Sequence, residues 1–209
     1  MKLTIISDTH NQHERFGILS GEVLIHCGEM FNLFSEDEGE LESLDDWFGR
    51  QNFKLILCIG GNHDLALEER LKAVDQPFQN AVYLQDRAYI YEGKCFYGAP
   101  WTPDLSGHAF YRSDAELQLA WQSIPANVDV LITHTPPAGI LDVSSRGLKL
   151  GCRHLAKQMS VVSPQFHCFG HVHASSGILE TESTTYINAS SVNSQYELAR
   201  LPYEVALLD

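Results

Sequence analysis

Five short polar segments hold most of the side chains able to do chemistry: Ser7–His10, Gly28–Glu29, Gly61–Asp64, Thr133–Thr135 and Gly170–His173. Of the ten histidines, His10, His63, His134, His171 and His173 lie in these segments. Asp8 and His10 are two residues apart, as are His171 and His173. In extended chain, residues i and i+2 point the same way, so each pair can address one ion. Paired metals in hydrolytic sites sit about 3.5–4 Å apart, a span that two such imidazoles can straddle. Asn62 adds a neutral oxygen. A mixed nitrogen and oxygen set without thiolate suits Mn, Fe or Zn better than a soft-metal site. His63 with Asp64 has the composition of a simple turn, but an imidazole there is also a proton donor that works near neutral pH.

Something must bring these segments together. Each follows an apolar run: Leu3–Ser7, Val23–Cys27, Leu55–Ile59, Val128–Thr133 and Phe166–Phe169. Short runs of Ile, Val and Leu predict strands buried on both faces. In sheets with helical crossovers, ligands bind outside the carboxyl ends of the strands. Five such ends would therefore place their ligand-type residues along one rim. Helices are expected over Leu41–Phe48, Leu65–Val74, Ala115–Gln122 and Cys152–Met159, with a capping box from Ser35 to Glu38 opening the first. Short β-rich pieces fill Val82 to Tyr97 and recur after Gly177. The pattern predicts two sheets face to face with helices outside, in one domain spanning residues 1–209.

Composition narrows the function. The chain is 44% hydrophobic and 20% charged, with 14 basic against 27 acidic residues and a formal charge of −13. That balance disfavours long nucleic acid as a partner, since counterion release rewards basic surfaces. It leaves small phosphorylated substrates open, because metal ions reverse the local field. No stretch approaches the roughly 18 apolar residues of a membrane helix. The five cysteines are irregularly spaced, and three lie in apolar runs. They read as buried free thiols of a reducing compartment, so a cytoplasmic protein is expected.

The ordered set of Asp8-Thr9-His10, Gly28 with an acid, Gly61-Asn62-His63-Asp64, a strand-ending His134 and Gly170-His171-Val172-His173 resembles the calcineurin-like metallophosphoesterases. The segments YLQD from Tyr83, YGAPWTP from Tyr97, THTPP from Thr133 and TTYINAS from Thr184 resemble a narrower branch, the metallophosphoesterase-domain-containing proteins. The resemblance implies an α/β fold, a four-layer αββα sandwich of two mixed sheets. It implies a dinuclear centre with two divalent ions. Asp8, His10 and His173 would hold the first, and Asn62, His134 and His171 the second. The acid after Gly28 would bridge them. His63 would serve the leaving group, oriented by Asp64. The implied activity is hydrolysis of a small phosphodiester, nucleotide-type compounds included, or of a phosphomonoester, by metal-activated hydroxide.

One position departs from the pattern: the family has Asp where this chain has Glu29. A bridging oxygen must reach each ion at about 2.0–2.2 Å, so Glu29 either bridges after a small backbone adjustment at Gly28, or tunes the site to another ion, or, as the hypothesis to test, loosens one ion and leaves the other tight. A weakly active or non-catalytic metal-binding scaffold is accordingly one alternative reading, and a nuclease another. Trp101, held between Pro100 and Pro103, is a candidate for stacking on substrate, with a buried plug as the competing role. His108 is the second candidate substrate contact.

Overall fold

The apolar runs become strands, with the polar segments at their carboxyl ends. A computed structural model describes residues 1–33 and 39–208. Among these, the strands are β1 (Lys2–Ile6), β2 (Val23–His26), β3 (Leu55–Cys58), β4 (Val82–Tyr83), β5 (Arg87–Tyr91), β6 (Lys94–Ala99), β7 (Val130–Thr133), β8 (Phe166–Phe169), β9 (Gly177–Glu180), β10 (Thr185–Asn188) and β11 (Tyr203–Ala206). The helices are α1 (Glu40–Arg50), α2 (Leu65–Arg70), α3 (Asp114–Gln122) and α4 (Arg153–Val162).

The first sheet has the order β11-β1-β2-β3-β4 and the second β5-β6-β7-β8-β10-β9. Strands β1 to β4 run parallel and β11 is antiparallel to β1. In the second sheet β6, β7, β8 and β10 are parallel, with β5 and β9 antiparallel at the edges. Both sheets are mixed. Strands β2, β3, β7 and β8 are buried along their whole length, which is why they read as continuous apolar runs.

Their side chains feed two cores. Leu3, Ile25 and Leu57 of the first sheet meet Phe96, Ile132 and Cys168 of the second between the sheets. The opposite faces, with Leu24 and Ile56 or Tyr97 and Leu131, pack with Leu44, Trp47 and Phe48 of α1 and with Trp121, Leu155 and Met159 of α3 and α4. The result is the expected αββα sandwich. Each fully buried apolar side chain contributes about 1.5–3 kcal/mol of transfer free energy, so both layers clamp the strands that carry the polar rim.

Helix boundaries differ from expectation where capping decides them. Ser113 and Glu116 form a capping box that starts α3 at Asp114, one residue before the predicted start. Helix α2 stops at Arg70, short of Val74. Lys72 and Ala73 instead donate to Glu69 and Arg70 in tighter turns, and Pro77 holds the chain ahead extended. The predicted Ser35–Glu38 cap lies outside the described residues.

The two sheets are tied at the rim. Ser7 at the end of β1 bridges in parallel to Ser190 after β10, and the Ser191 amide donates to the Ser7 carbonyl at 2.9 Å. Gly170 sits at the junction, where a Cβ would come within 2.0 Å of Ser7 Oγ and 2.2 Å of Asp8 Oδ2. Any side chain there would force the sheets apart. No helix among the described residues is long and apolar enough to cross a membrane.

One buried histidine gives the fold a pH dependence. His167 on β8 is fully buried, with Nε2 2.8 Å from the Thr133 hydroxyl, and burial pushes its pKa from the ordinary 6.5 down to about 3. The unfolded chain takes up a proton at His167 below 6.5 while the fold resists it. Its contribution is therefore complete above pH 6.5 and is lost as pH falls towards 3. Denaturant unfolding between these limits should show a stability slope shallower in His167→Gln than in the parent by about 1.4 kcal/mol per pH unit, one proton's worth. Parallel slopes for the two proteins would contradict a neutral buried imidazole.

Candidate metal centre

The loop after β1 carries Asp8 and His10, both with left-handed backbone at φ of 53° and 43°. Glu29 and His171 share that conformation, at 53° and 67°. For residues with a side chain it costs about 1–2 kcal/mol each, and strain of this kind concentrates at functional sites. It turns each side chain back over the rim.

The Asp8 carboxylate is fully buried. It accepts the His171 amide at Oδ1 (3.0 Å) and the Ser190 hydroxyl at Oδ2 (2.8 Å). His10 and His134 are aimed by backbone carbonyls. His10 Nδ1 donates to Phe31 O at 3.2 Å and His134 Nδ1 to Cys27 O at 2.8 Å. A carbonyl only accepts, so the proton is on Nδ1 and Nε2 is turned inward in both rings. His134 Nε2 then lies 3.1 Å from Asn62 Oδ1. Two lone-pair atoms that close require a proton or a cation between them.

Glu29, 2% exposed, occupies the middle. Its Oε2 is 3.1 Å from His10 Nε2 and 3.4 Å from His173 Nε2. Its Oε1 is 3.6 Å from His134 Nε2. Asp8, His10, Glu29 and His173 form one group whose donor atoms all lie within 4.8 Å of one another, and Glu29, His134 and His171 form another. Glu29 belongs to both, with one oxygen towards each.

The electrostatics of these groups suit divalent cations. Burial alone would raise the pKa of Asp8 and Glu29, yet both are held below the ordinary carboxylate value by histidine partners, His173 for Asp8 and His10 first among those of Glu29. Burial opposes charge on His134 and His173 too, but Glu29 carries His134 up to about 9, and Asp8 with Glu29 carries His173 up to about 10. Positive charge is thus required between the carboxylates, whether it comes from protons or from metal. His171 is pushed down to about 4 by burial and by neighbouring His134, and its buried Nδ1 has no partner among the described residues. A neutral imidazole with an unused lone pair is a metal ligand's state. The donor set fits divalent ions.

The methylene that distinguishes Glu29 from Asp has a seat. A Cβ on Gly61 would fall 2.8 Å from Glu29 Cγ and 2.4 Å from the Glu29 amide nitrogen, so the longer side chain packs against bare glycine backbone.

His63 stands beside both groups, with Nε2 3.6 Å from Glu29 Oε1 and burial lowering its pKa. Asp64 does not orient it. The Asp64 carboxylate accepts the Phe31 and Gly61 amides at 3.0 and 2.8 Å, and His63 Nδ1 has no partner among the described residues. Asp64 stands at the start of α2 without capping it, its carboxylate instead bracing the Gly61 loop that carries Asn62. Burial pushes its pKa up to about 7, with those two amides holding it down.

His108 does reach the site, its ring 6.3 Å from that of His63 and near parallel. Trp101 does not. It is 3% exposed, its indole N–H donates to Asp86 at 2.9 Å, and the Arg112 guanidinium covers its ring at 3.8 Å. The buried-plug role holds, because Asp86 satisfies the polar edge that a stacking residue would show to solvent.

Two residues at the site carry no local sign in the sequence. Ser190, the Asp8 donor, reads as one serine among several. Tyr196, whose ring lies 4.8 Å from His10 and 5.2 Å from His173, sits in a polar loop far along the chain.

Comparison with known proteins accords with this geometry. Residues 1–209 match the family model described as Calcineurin-like phosphoesterase superfamily domain. A UPF0046 protein of Caenorhabditis elegans is 36% identical over 218 residues, which cover 97% of this chain and 73% of that protein. Metallophosphoesterase domain-containing protein 1 of Homo sapiens is 31% identical over 233 residues, 99% of this chain and 71% of that protein. Among solved structures, one crystal structure superposes with a TM-score of 0.66 at 15% identity, covering 90% of this chain and 89% of that one. GAP50, the anchor in the inner membrane complex of Plasmodium, superposes with a TM-score of 0.53 at 13% identity, covering 91% and 71%. These two likenesses concern the fold alone.

The seat of Glu29 sets an expectation opposite to a loosened ion. In Glu29→Asp the carboxylate retracts by one methylene from the His10, His134 and His173 nitrogens that its oxygens now face, so metal titration should show at least one ion bound more weakly than in the parent. Tighter binding of both ions by Glu29→Asp would mean that the longer acid is a misfit. Ser190→Ala removes a hydrogen bond behind Asp8 and should lower metal affinity about 10- to 100-fold, as loss of a ligand's supporting contact does; unchanged affinity would show that Asp8 needs no such support.

Proposed function

Because the chain belongs to the calcineurin-like phosphoesterase superfamily, in its metallophosphoesterase-domain-containing branch, we propose that it hydrolyses a small phosphodiester at a centre of two divalent ions. The observation that carries this reading is Glu29, with one oxygen towards each of two donor groups. Asp8, His10 and His173 would hold one ion, Asn62, His134 and His171 the other, and Glu29 both. When bound, such ions supply an acidified water as nucleophile and neutralise charge on the phosphoryl oxygens.

The chain's own groups do the rest. The carbonyls of Phe31 and Cys27 fix the proton of His10 and His134 on Nδ1, so Nε2 of each is presented as a lone pair. Ser190 and the His171 amide hold Asp8 in one orientation. His63 sits outside both donor groups with Nε2 facing the centre, where a proton carried on Nε2 would pass to the departing oxygen. Burial lowers the pKa of His63, an effect that neighbouring Glu29 offsets only in part, so the ring releases a proton readily to a basic leaving oxygen. Five free, buried cysteines accord with a cytoplasmic setting, where thiols stay reduced.

Protein stripped by chelator and reloaded with Mn²⁺, Fe²⁺ or Zn²⁺ should hydrolyse an aryl phosphodiester. Folded, metal-loaded protein that turns over neither diester nor monoester would leave the scaffold reading in its place. His63→Ala should keep its metal and lose about 10²- to 10⁴-fold in rate, the usual worth of general acid catalysis, with a smaller loss for a more acidic leaving group. Loss of bound metal in this variant would make His63 a ligand and not a proton donor.

A further inference from the structure

Resting on that reading, we propose that Tyr196 is a specificity-determining residue: its ring is the wall on which the leaving group packs, and it selects planar aromatic leaving groups over alkyl ones. Tyr196 lines the cavity of about 290 Å³ above the donor groups, together with His63 and His108. Its ring is edge-on to His10 and His173 at 4.8 and 5.2 Å, and nearly parallel to His63 at 6.2 Å with 17° between planes. His63 in turn lies 29° from the plane of His108. Three rings in similar orientation therefore line the side of the cavity where His63 delivers its proton. Tyr196 is nonetheless 49% exposed, so much of its ring is free for a ligand.

The loop is built to hold that ring in place. Tyr196 adopts left-handed backbone, φ 61°, a conformation that residues other than glycine keep only when their surroundings enforce it. Here Val192 and Leu198 form an antiparallel bridge. Asn193 N donates to Glu197 O at 2.9 Å, and Tyr196 N donates to Asn193 O at 3.0 Å. Asn193 Oδ1 accepts the Gln195 and Glu197 amides. From across the site, the Gln12 side chain donates to Tyr196 O at 2.8 Å.

The remaining lining says what kind of group fits. It includes Leu105, Leu150, Ser144 and Ser194, and no lysine or arginine among the described residues. Beyond the metal-site and donor histidines, none of the described lining residues offers a permanent counter-charge to a second anionic group on the substrate. Aromatic faces with apolar and hydroxyl neighbours suit an uncharged planar substituent, which gains from offset or edge-on ring packing.

The test compares two methyl phosphodiesters with leaving groups of matched acidity, one phenyl and one fluorinated alkyl, so that the demand on His63 is equal. The readout is the ratio of their kcat/KM values on metal-loaded protein of verified metal content. The parent should prefer the phenyl ester. Tyr196→Leu and Tyr196→Ala should each lower that ratio, by about 2- to 12-fold for a lost ring contact, and Tyr196→Phe should restore it. Equal loss of both substrates, or an unchanged ratio, would reduce Tyr196 to a structural support for His10 and His173 and overturn the inference alone. A parent protein that hydrolyses neither ester would overturn the proposed function, and this inference with it.

Discussion

The burial of two carboxylates side by side governs the rest of this structure. Asp8 is fully buried and Glu29 nearly so, and neither can hold its charge there without compensation. Histidine nitrogens from three separate loops, those after β1, β7 and β8, supply it, and the pKa values of His134 and His173 are displaced upward in answer. No one of these groups would be stable in this state alone. A divalent cation in each donor group would satisfy the same requirement with no proton needed, so the electrostatic demand of the fold and the proposed chemistry would be met by one arrangement.

That arrangement needs a rigid frame. The sheets are clamped by one core between them and by further apolar packing against the helices. They are tied at the rim through Ser7 and Ser190. Gly61 and Gly170 stand where the loops come closest, one against Glu29 and one against Asp8. The left-handed backbone of Asp8, His10, Glu29 and His171 is sustained by this packing.

Much of this was legible in the chain before any coordinates. A strand buried on both faces is a short apolar run, and the residue types that follow it are visible directly. The convergence of five strand ends followed from the rule that parallel strands present ligands at their carboxyl ends. Harder to read was whatever depended on side-chain direction or on distant return. Asp64 next to His63 looks like its partner, but the turn into α2 swings the carboxylate to the Gly61 and Phe31 amides. Trp101 between prolines suits a plug and a platform equally in sequence, and Asp86 at its indole N–H decides for the plug. Ser190 and Tyr196 reach the site only because β10 lies beside β8 and returns the chain to β1, a long-range pairing with no local signature. The extra methylene of Glu29 looked like a defect because its seat on Gly61 lies 32 residues away, as the difference between positions 61 and 29 gives.

The central claim is that Glu29 joins two metal positions. The most direct measurement is anomalous diffraction from crystals of metal-loaded protein, collected on both sides of the absorption edge of the ion. The account predicts two peaks about 3.5–4 Å apart, one among Asp8, His10 and His173 and one among Asn62, His134 and His171, with one Glu29 oxygen on each. A single peak, or two peaks with both Glu29 oxygens on the same ion, would contradict it.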